Sequence, residues 1–539
     1  MPKTELCETP PIPTTDSLES APEGGVSGLL HRRAEPEAGK GSARAPSLWR
    51  AVVGAFAPRA CHERCLFLAG ACLTLVNFFM VQHATVAFRR AEMAVIAFSL
   101  AYFLGVSAGY LVSDRVKPSW VVRALPWFLV GQLGLLLAMQ PLHEVLRGQF
   151  RFLGWAGKAD DFGAGVLLFL LMAGLGTSIF ATVLPRAITS GGGDLARCYS
   201  VEVAGSLTGL VLMPFLAAIS HQAVLGAYLL GAIGLLALLG AGRGVRWIMA
   251  MVAVAFLVAY PSLDRAAASE TYRRVYGWKV EDIPFTRFTP YHKIEVVRAN
   301  GEPRLLLNGL RQFGGDPRRT YSYFVSEVPA RLMGAPRVAL LGCGSMATVG
   351  RIGDIAESIR IVDLDAEVFA AARHYFRREN RLGELTNWTF EEDDAKHWLA
   401  NAQGTFDLIL HDIPPAHSRQ VALTYTDEFF RLVKARLAPR GVFSISCLDP
   451  VTGKSEYGRR MLATLTSVFD RYYAIERRGS LFFYGGGLGL REVPPSELLR
   501  RLDPEWRDGS RPLTREQIQT LCAGSRPITI SNVGDLIYE

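Results

Sequence analysis

The chain is expected to fold as a multi-pass α-helical membrane bundle of about seven helices, followed by an α/β domain with a Rossmann-like sheet and a small β module ahead of that sheet. Three observations carry this expectation. Charge is thin from Cys65 to Leu263, where only 19 of the 108 Asp, Glu, Lys and Arg residues of the chain fall. Beyond that stretch, apolar strands alternate with helical segments, which implies a mainly parallel sheet with helices on both faces. Finally, Arg337–Asp365 reads as one βαβ unit. An apolar strand, Val338–Leu341, runs into Gly342-Cys343-Gly344, a helix follows from about Ala347, and a second strand, Ile359–Val362, ends in Asp363.

Taken in order, residues 1–60 are rich in Pro, Ser, Gly and Glu and show no apolar periodicity. A disordered tail is expected there, and the apolar core of a signal peptide is not seen. Residues 65–263 hold apolar runs at about 65–88, 93–113, 124–142, 162–185, 199–219, 223–242 and 247–263. Each is near the ~20 residues that a helix needs to cross a bilayer. Only Ser220-His221-Gln222 separates the fifth from the sixth, so those two should form a tight hairpin. Small residues recur in Gly105–Gly109 and Gly205–Gly209, where they permit close helix contact. Asn77, Gln82, His83, Gln132 and Glu202 fall within spans. They are read chiefly as interhelical hydrogen-bonding groups, with the lining of a substrate path as the alternative.

The net charge of +8 is better explained by arginines flanking membrane helices than by nucleic acid. The eight cysteines are scattered and predict neither a disulfide framework nor a metal site. A multi-pass protein of the cell (inner) membrane is expected, with the lipid bilayer as partner. Basic residues are denser on the N-terminal side of the spans (Arg64, Arg115, Lys117, Arg123, Arg186, Arg197, Arg243, Arg246) than on the other (Arg89, Arg90, Arg147, Arg151, Lys158). The positive-inside rule then places the N-terminus in the cytoplasm, and seven spans carry the C-terminal domain to the opposite side. Ligand chemistry, below, argues for a cytoplasmic domain instead.

Residues 264–335 are expected to form the β module. Tyr291–Val297 alternates like a half-buried strand, Asn300-Gly301 is a hairpin turn, and Arg304–Asn308 returns. Residues 336–539 supply the main sheet, with strands at Val338–Leu341, Ile359–Val362, Trp388–Glu391, Phe406–Leu410 and Val442–Ser446. Two further β-rich pieces follow, Tyr472–Ile475 and Ser480–Tyr484.

The chemistry-bearing residues cluster at the strand ends. In Gly342-Cys-Gly344-Ser-Met-Ala347 the first glycine allows the turn and the second lets backbone approach a ligand. Asp363, at the tip of the next strand, is placed to bind ribose hydroxyls; Asp365 is the runner-up and suits a helix cap better. In Glu391-Glu392-Asp393-Asp394 a carboxylate could accept from an adenine amino group, with helix capping an equal alternative. Asp412 ends the fourth strand, in the ligand crevice of such sheets, and is a candidate for chemistry. His417, in the loop that follows, is a weaker one.

These stretches carry a family resemblance. Pro290-Tyr-His-Lys-Ile294, Leu307-Asn-Gly-Leu-Arg-Gln312, the glycine loop, Val362–Val368, Asp393-Asp-Ala-Lys-His-Trp-Leu399 and Thr424-Tyr-Thr-Asp-Glu-Phe-Phe430 resemble the spermidine synthases, the polyamine aminopropyltransferases. Val183-Leu-Pro-Arg186 and Tyr199–Gly205 resemble the membrane-fused members. The resemblance implies a methyltransferase-type Rossmann fold, a transferase activity in polyamine biosynthesis, and decarboxylated S-adenosylmethionine as co-substrate rather than a tightly bound cofactor. Gln312, Gly342, Gly344, Asp363 and Asp394 (or Asp393) match its donor-binding positions. The acceptor side departs from it. Ser345 stands where the family loop has Asp, Pro415 where it has the proposed base, and Tyr323-Phe324-Val325 where it has Tyr-His-Glu. Three functions follow in order: aminopropyl transfer to a polyamine or other amine, with Asp412 as base; a catalytically degenerate nucleoside-binding or scaffold domain; and methyl transfer from S-adenosylmethionine. The resemblance also allows a homodimer.

Overall fold

The structure, a computed structural model, describes residues 58, 60–89, 91–113, 115–154, 158–191, 194–313, 320–334, 336–414, 419–447, 456–477, 479–487 and 495–534. The tail expected to be disordered lies almost wholly outside them.

Among the described residues, seven helices are long and apolar enough to cross a membrane: α1 (Cys61–Phe88), α2 (Ala94–Ser113), α3 (Ser119–Phe152), α4 (Ala159–Arg186), α5 (Leu195–Ile219), α6 (His221–Leu238) and α7 (Arg243–Tyr276). The α5–α6 hairpin turns at Ser220, whose hydroxyl accepts from the Ala223 amide and caps α6. The small-residue stretches sit where helices touch. A methyl group added at Gly105 would fall 1.9 Å from Thr177 Oγ1 of α4, and one at Gly205 would fall 2.0 Å from the Phe67 carbonyl of α1. Of the five polar residues expected within the spans, Gln132 and His83 bond between helices, whereas Asn77 Oδ1 and Gln82 Oε1 are buried with no partner among the described residues. A π turn at Ala173–Thr177 interrupts α4 and loosens its carbonyls from the helical ladder. Gln132 of α3 donates to two of them, Leu175 at 2.6 Å and Gly176 at 3.2 Å, and accepts from the Tyr228 hydroxyl. His83 meets the Tyr260 hydroxyl at 3.1 Å.

The last helix does not stop where the apolar run ends at Leu263. It continues to Tyr276, and Gly277, at φ +67°, terminates it. Its final turns leave the bundle to pack Ala268 and Tyr272 against Trp278, Ile283, Val297 and Leu306. Ile283, Val297 and Leu306 belong to a four-stranded antiparallel sheet, β1 (Val280–Phe288), β2 (Lys293–Ala299), β3 (Glu302–Leu307) and β4 (Leu310–Phe313), and Trp278 lies just ahead of it. The strand β1 and the short β4 were not expected from the pattern.

The main sheet has eight strands in the order β12-β10-β11-β9-β8-β5-β6-β7. Five are parallel: β5 (Arg337–Leu341), β6 (Ser358–Asp363), β7 (Trp388–Glu392), β8 (Phe406–His411) and β9 (Leu437–Cys447). The others, β10 (Tyr472–Arg477), β11 (Ser480–Gly486) and β12 (Ser510–Leu513), extend it antiparallel, so the sheet is mixed. Apolar side chains fill both faces, with Leu340, Ile361 and Leu410 on one and Leu341, Ile409 and Phe443 on the other. That continuous Val, Ile, Leu and Phe content is what strands covered on both faces require. The chain order reverses between β5 and β8. The crevice outside their carboxyl ends is the ligand position in open α/β sheets.

Candidate functional site

The site is built at that reversal. β5 ends at Leu341 and turns through Gly342, at φ +88°. A side chain there would also put its first carbon 2.4 Å from the Asp412 carbonyl oxygen, backbone against backbone, so only glycine fits. Gly344 also has positive φ, and nothing lies within 4 Å of its missing side chain, which leaves room for a ligand against the backbone. Helix α8 (Ala347–Ile352) then starts, and its second residue, Thr348, faces β8.

Asp412 follows β8 directly. Its Oδ2 accepts from Thr348 Oγ1 at 2.8 Å, and the Tyr321 hydroxyl donates to the same carboxyl group. Burial pushes its pKa up to about 6, and the Asp363 carboxylate nearby adds to the rise; the Thr348 and Tyr321 hydroxyls oppose it. A carboxylate so placed is a stronger proton acceptor than one in water. Neither Thr348 nor Tyr321 stood out in the sequence, although Thr348 occupies the first turn after the glycine loop, where a side chain can reach a neighbouring strand tip.

Asp363 closes β6. Its Oδ2 accepts the Cys343 amide at 2.7 Å and its Oδ1 the Asp365 amide at 3.0 Å, so the carboxyl group ties the glycine loop to the next turn. Burial raises its pKa, against the pull of those two amides. A carboxylate has about four lone-pair sites, which leaves capacity for a ribose diol. Asp365 caps α9 (Ala366–Tyr375) through the Glu367 amide and accepts from Thr289 Oγ1 at 2.7 Å. It thereby fastens the β1–β2 loop to the Rossmann sheet. His292, in that loop, sits near Asp363 and Asp365, and burial holds its imidazole below the usual range against their attraction.

Asp394 serves as the cap of α10 (Ala395–Asn401), accepting the Lys396 amide at 2.9 Å and the His397 amide at 3.1 Å. Asp393 pairs with the His397 ring at 2.8 Å. Replacing Asp394 by Ala is expected to lower stability by about 1 kcal/mol, the usual worth of such a cap, read from the thermal midpoint of the purified protein. Gln312 lies half-buried on β4, its amide 3.4 Å from the Leu310 carbonyl. His417 and Pro415 fall outside the described residues.

The acceptor-side substitutions have a physical reading. Tyr323-Phe324-Val325 lies within a buried π turn, Tyr323–Glu327. Tyr323 stacks on Trp506 at 4.8 Å and Phe324 on Phe482 at 4.8 Å. That segment is core and presents no carboxylate to a ligand. Ser345 is buried, and its carbonyl accepts the Asn380 side-chain amide at 2.7 Å. Asp363, Asp393 and Asp412 thus stand at or just beyond the carboxyl ends of the parallel strands β6, β7 and β8, and burial raises the pKa of both Asp363 and Asp412.

The main sheet and its glycine loop form a Rossmann-like α/β arrangement. Residues 320–475 match the family model described as the spermine/spermidine synthase domain, so the C-terminal region carries a domain of that kind. The chain is similar to polyamine aminopropyltransferase 2 of Ralstonia nicotianae, 26% identical over 367 residues, which cover 66% of this chain and 66% of that protein. It is similar also to the polyamine aminopropyltransferase of Mycobacterium tuberculosis, 27% identical over 390 residues, covering 68% of this chain and 73% of that protein. Both alignments are longer than the part of the chain that follows Leu263, so the likeness reaches into the helices. The polyamine aminopropyltransferase of Leptospira interrogans is 29% identical over 199 residues, 35% of this chain and 39% of that protein. The chain thus spans about two fifths of the Leptospira protein and just under two thirds of the Ralstonia one. Among solved structures, a spermidine synthase in complex with the transition state analogue AdoDATO aligns at 17% identity and a TM-score of 0.38, over 48% of this chain and 90% of that one.

Proposed function

We propose that the C-terminal domain transfers an aminopropyl group from decarboxylated S-adenosylmethionine to an amine, and that the seven helices hold it in a membrane. The observation that carries this is Asp412, a carboxylate at the carboxyl end of β8 whose affinity for a proton is raised to about 6. An amine that is to attack must first lose a proton it holds with a pKa near ~10, so a positioned base is needed. The attacking nitrogen forms a bond to the carbon beside the sulfonium. The carbon–sulfur bond breaks with its electron pair on sulfur, methylthioadenosine leaves neutral, and Asp412 takes the proton from nitrogen. Asp363 would hold the ribose and Gln312 the donor from the β module. The loss of carboxylates at Ser345 and in Tyr323–Val325 supports an acceptor whose far end is not a second ammonium.

The test is release of methylthioadenosine by the full-length protein given decarboxylated S-adenosylmethionine and a panel of mono- and polyamines. Turnover with a monoamine is the expected result. Calorimetric binding of the donor without turnover on any amine would establish the scaffold alternative, and turnover of S-adenosylmethionine itself the methyltransferase one. Asp363→Ala should weaken donor binding by about 10–100-fold, the worth of a charged hydrogen-bonding group lost from a buried site.

An adenosyl donor places the domain in the cytoplasm, whereas the seven spans and the denser arginines near the N-terminus point the other way. A reporter fused after Glu539 separates the two. Cytoplasmic signal is expected, and an extracytoplasmic signal would remove adenosyl transfer as the function.

A further inference from the structure

A cavity of about 730 Å³ lies apart from Asp412, where the α5–α6 hairpin and α7 meet the β1–β2 loop and the tips of β6 and β7. Its lining changes character with depth. On the bundle side are the hairpin tip, with Ile219 76% exposed, and Tyr260; Phe215, about one turn before Ile219 on α5, is 69% exposed. Those two side chains mark an apolar approach along the helix surface. Phe288 stacks on His221 at 4.1 Å within the wall. On the sheet side are the carboxylates of Asp365, Glu367 and Glu392.

Two features say what fits. His221 Nε2 is buried and has no hydrogen-bond partner among the described residues, a cost that a ligand can relieve. Glu392 makes no ion pair among them, whereas Glu367 is held by Arg287 at 2.9 Å. A carboxylate accepts, and His221 Nε2 accepts as well when the ring carries its proton on Nδ1, so a ligand that brings donors satisfies both. An ammonium group has three and no acceptor. Among the lining acids Asp264 is paired with Lys293 and Glu367 with Arg287, which leaves Asp365 and Glu392 against Arg265 and disfavours an anion.

We propose that this cavity binds an amphiphilic amine, a primary ammonium on an apolar chain, drawn from the bilayer surface. The ammonium sits between His221 and Glu392, and the chain leaves past Tyr260 and Ile219. Thr289 and Asp365, hydrogen-bonded to each other, both line this chamber, and the Asp365 amide donates to Asp363. Binding here requires no adenosyl donor, so its test is separate from that of group transfer.

The test is photolabelling of the full-length protein in phosphatidylcholine nanodiscs with a diazirine-bearing octylamine, without donor, followed by peptide mapping. Saturable labelling is expected on the segments 217–222 and 286–291. It should be displaced by octylamine and not by octanoate, with half-saturation at least tenfold higher in Glu392→Gln and little labelling in Ala218→Trp. Phosphatidylethanolamine in the discs separates the sources. Suppressed labelling assigns the site to an aminolipid, and unchanged labelling assigns it to a free amine. Labelling spread over the lipid-facing helices and equal in Glu392→Gln, or displacement by octanoate, would overturn the proposal.

Discussion

Asp412→Asn is expected to lower turnover by about 10²–10⁴-fold, the range that a positioned general base supplies, while donor binding changes little. In the unsubstituted protein, kcat/KM should rise with pH through about 6 and then level, because the unprotonated carboxylate is the active form. The same substitution should raise the thermal midpoint at neutral pH. The sign follows from linkage. The folded-state pKa lies above the unfolded one, so the charged form opposes folding, and that penalty grows as pH rises from about 4 through about 6. Asn removes the charge and with it on the order of 1–2 kcal/mol of penalty, discounted for the partial exposure of the group. Loss of activity together with gain of stability is a signature that a merely structural aspartate would not show. A flat pH profile, or destabilisation by the Asn variant, would remove Asp412 from the base role.

Lys293→Met should be the most damaging single change to the fold. The Lys293 ammonium lies 2.9 Å from Asp264 of α7 and 3.2 Å from Glu295 on its own strand, with side-chain exposures of 1%, 7% and 0%. The Tyr272 hydroxyl donates to the second oxygen of Glu295. Burial pulls the lysine's pKa down and the two carboxylates more than restore it, so it ends above its ordinary value; burial and Asp264 push that of Glu295 up. Removing the cation strands two carboxylates in the interior, which costs about 3–5 kcal/mol. The gap between variant and parent should narrow as pH falls and Glu295, whose pKa burial already raises, takes up a proton. Thermal unfolding of both proteins at pH 7.5 and 4.5 reads this directly. An equal gap at both values would mean that the loss comes from packing and not from charge.

The parts legible in the sequence are those that local pattern encodes. Apolar strands ending in Gly342, Asp363 and Asp412 mark the strand tips, because period and punctuation are properties of a few neighbouring residues. The rest depends on contacts between distant segments. Lys293 and Asp264 are 29 positions apart on different elements, and neither looks unusual alone. Thr348 and Tyr321 acquire meaning only when β8 lies beside β5. The end of the seventh apolar run misplaced the end of its helix for a related reason. Hydropathy reports where a helix would meet lipid, whereas the helix itself persists through Arg265-Ala-Ala-Ala-Ser-Glu because Ala268 and Tyr272 have a β sheet to pack on. The antiparallel strands β10 and β11 appeared as β-rich pieces, but their direction follows from a hairpin pairing that periodicity does not reveal. The carboxylates at Asp365 and Asp394 turned out to have local duties as helix caps, which the residue type alone leaves undecided.

The continuity of α7 has a mechanical consequence. A 34-residue helix is about 50 Å long, against roughly 30 Å of bilayer hydrocarbon. In the membrane-spanning orientation, ~20 Å of it stands clear of the lipid, held at its base where Asp264 meets Lys293 and near its head where Tyr272 meets Glu295. Pro261 lies inside the helix just ahead of that stretch and removes one hydrogen bond of its ladder. The protruding turns, and the β sheet packed on them, can therefore lean at Pro261 independently of the span.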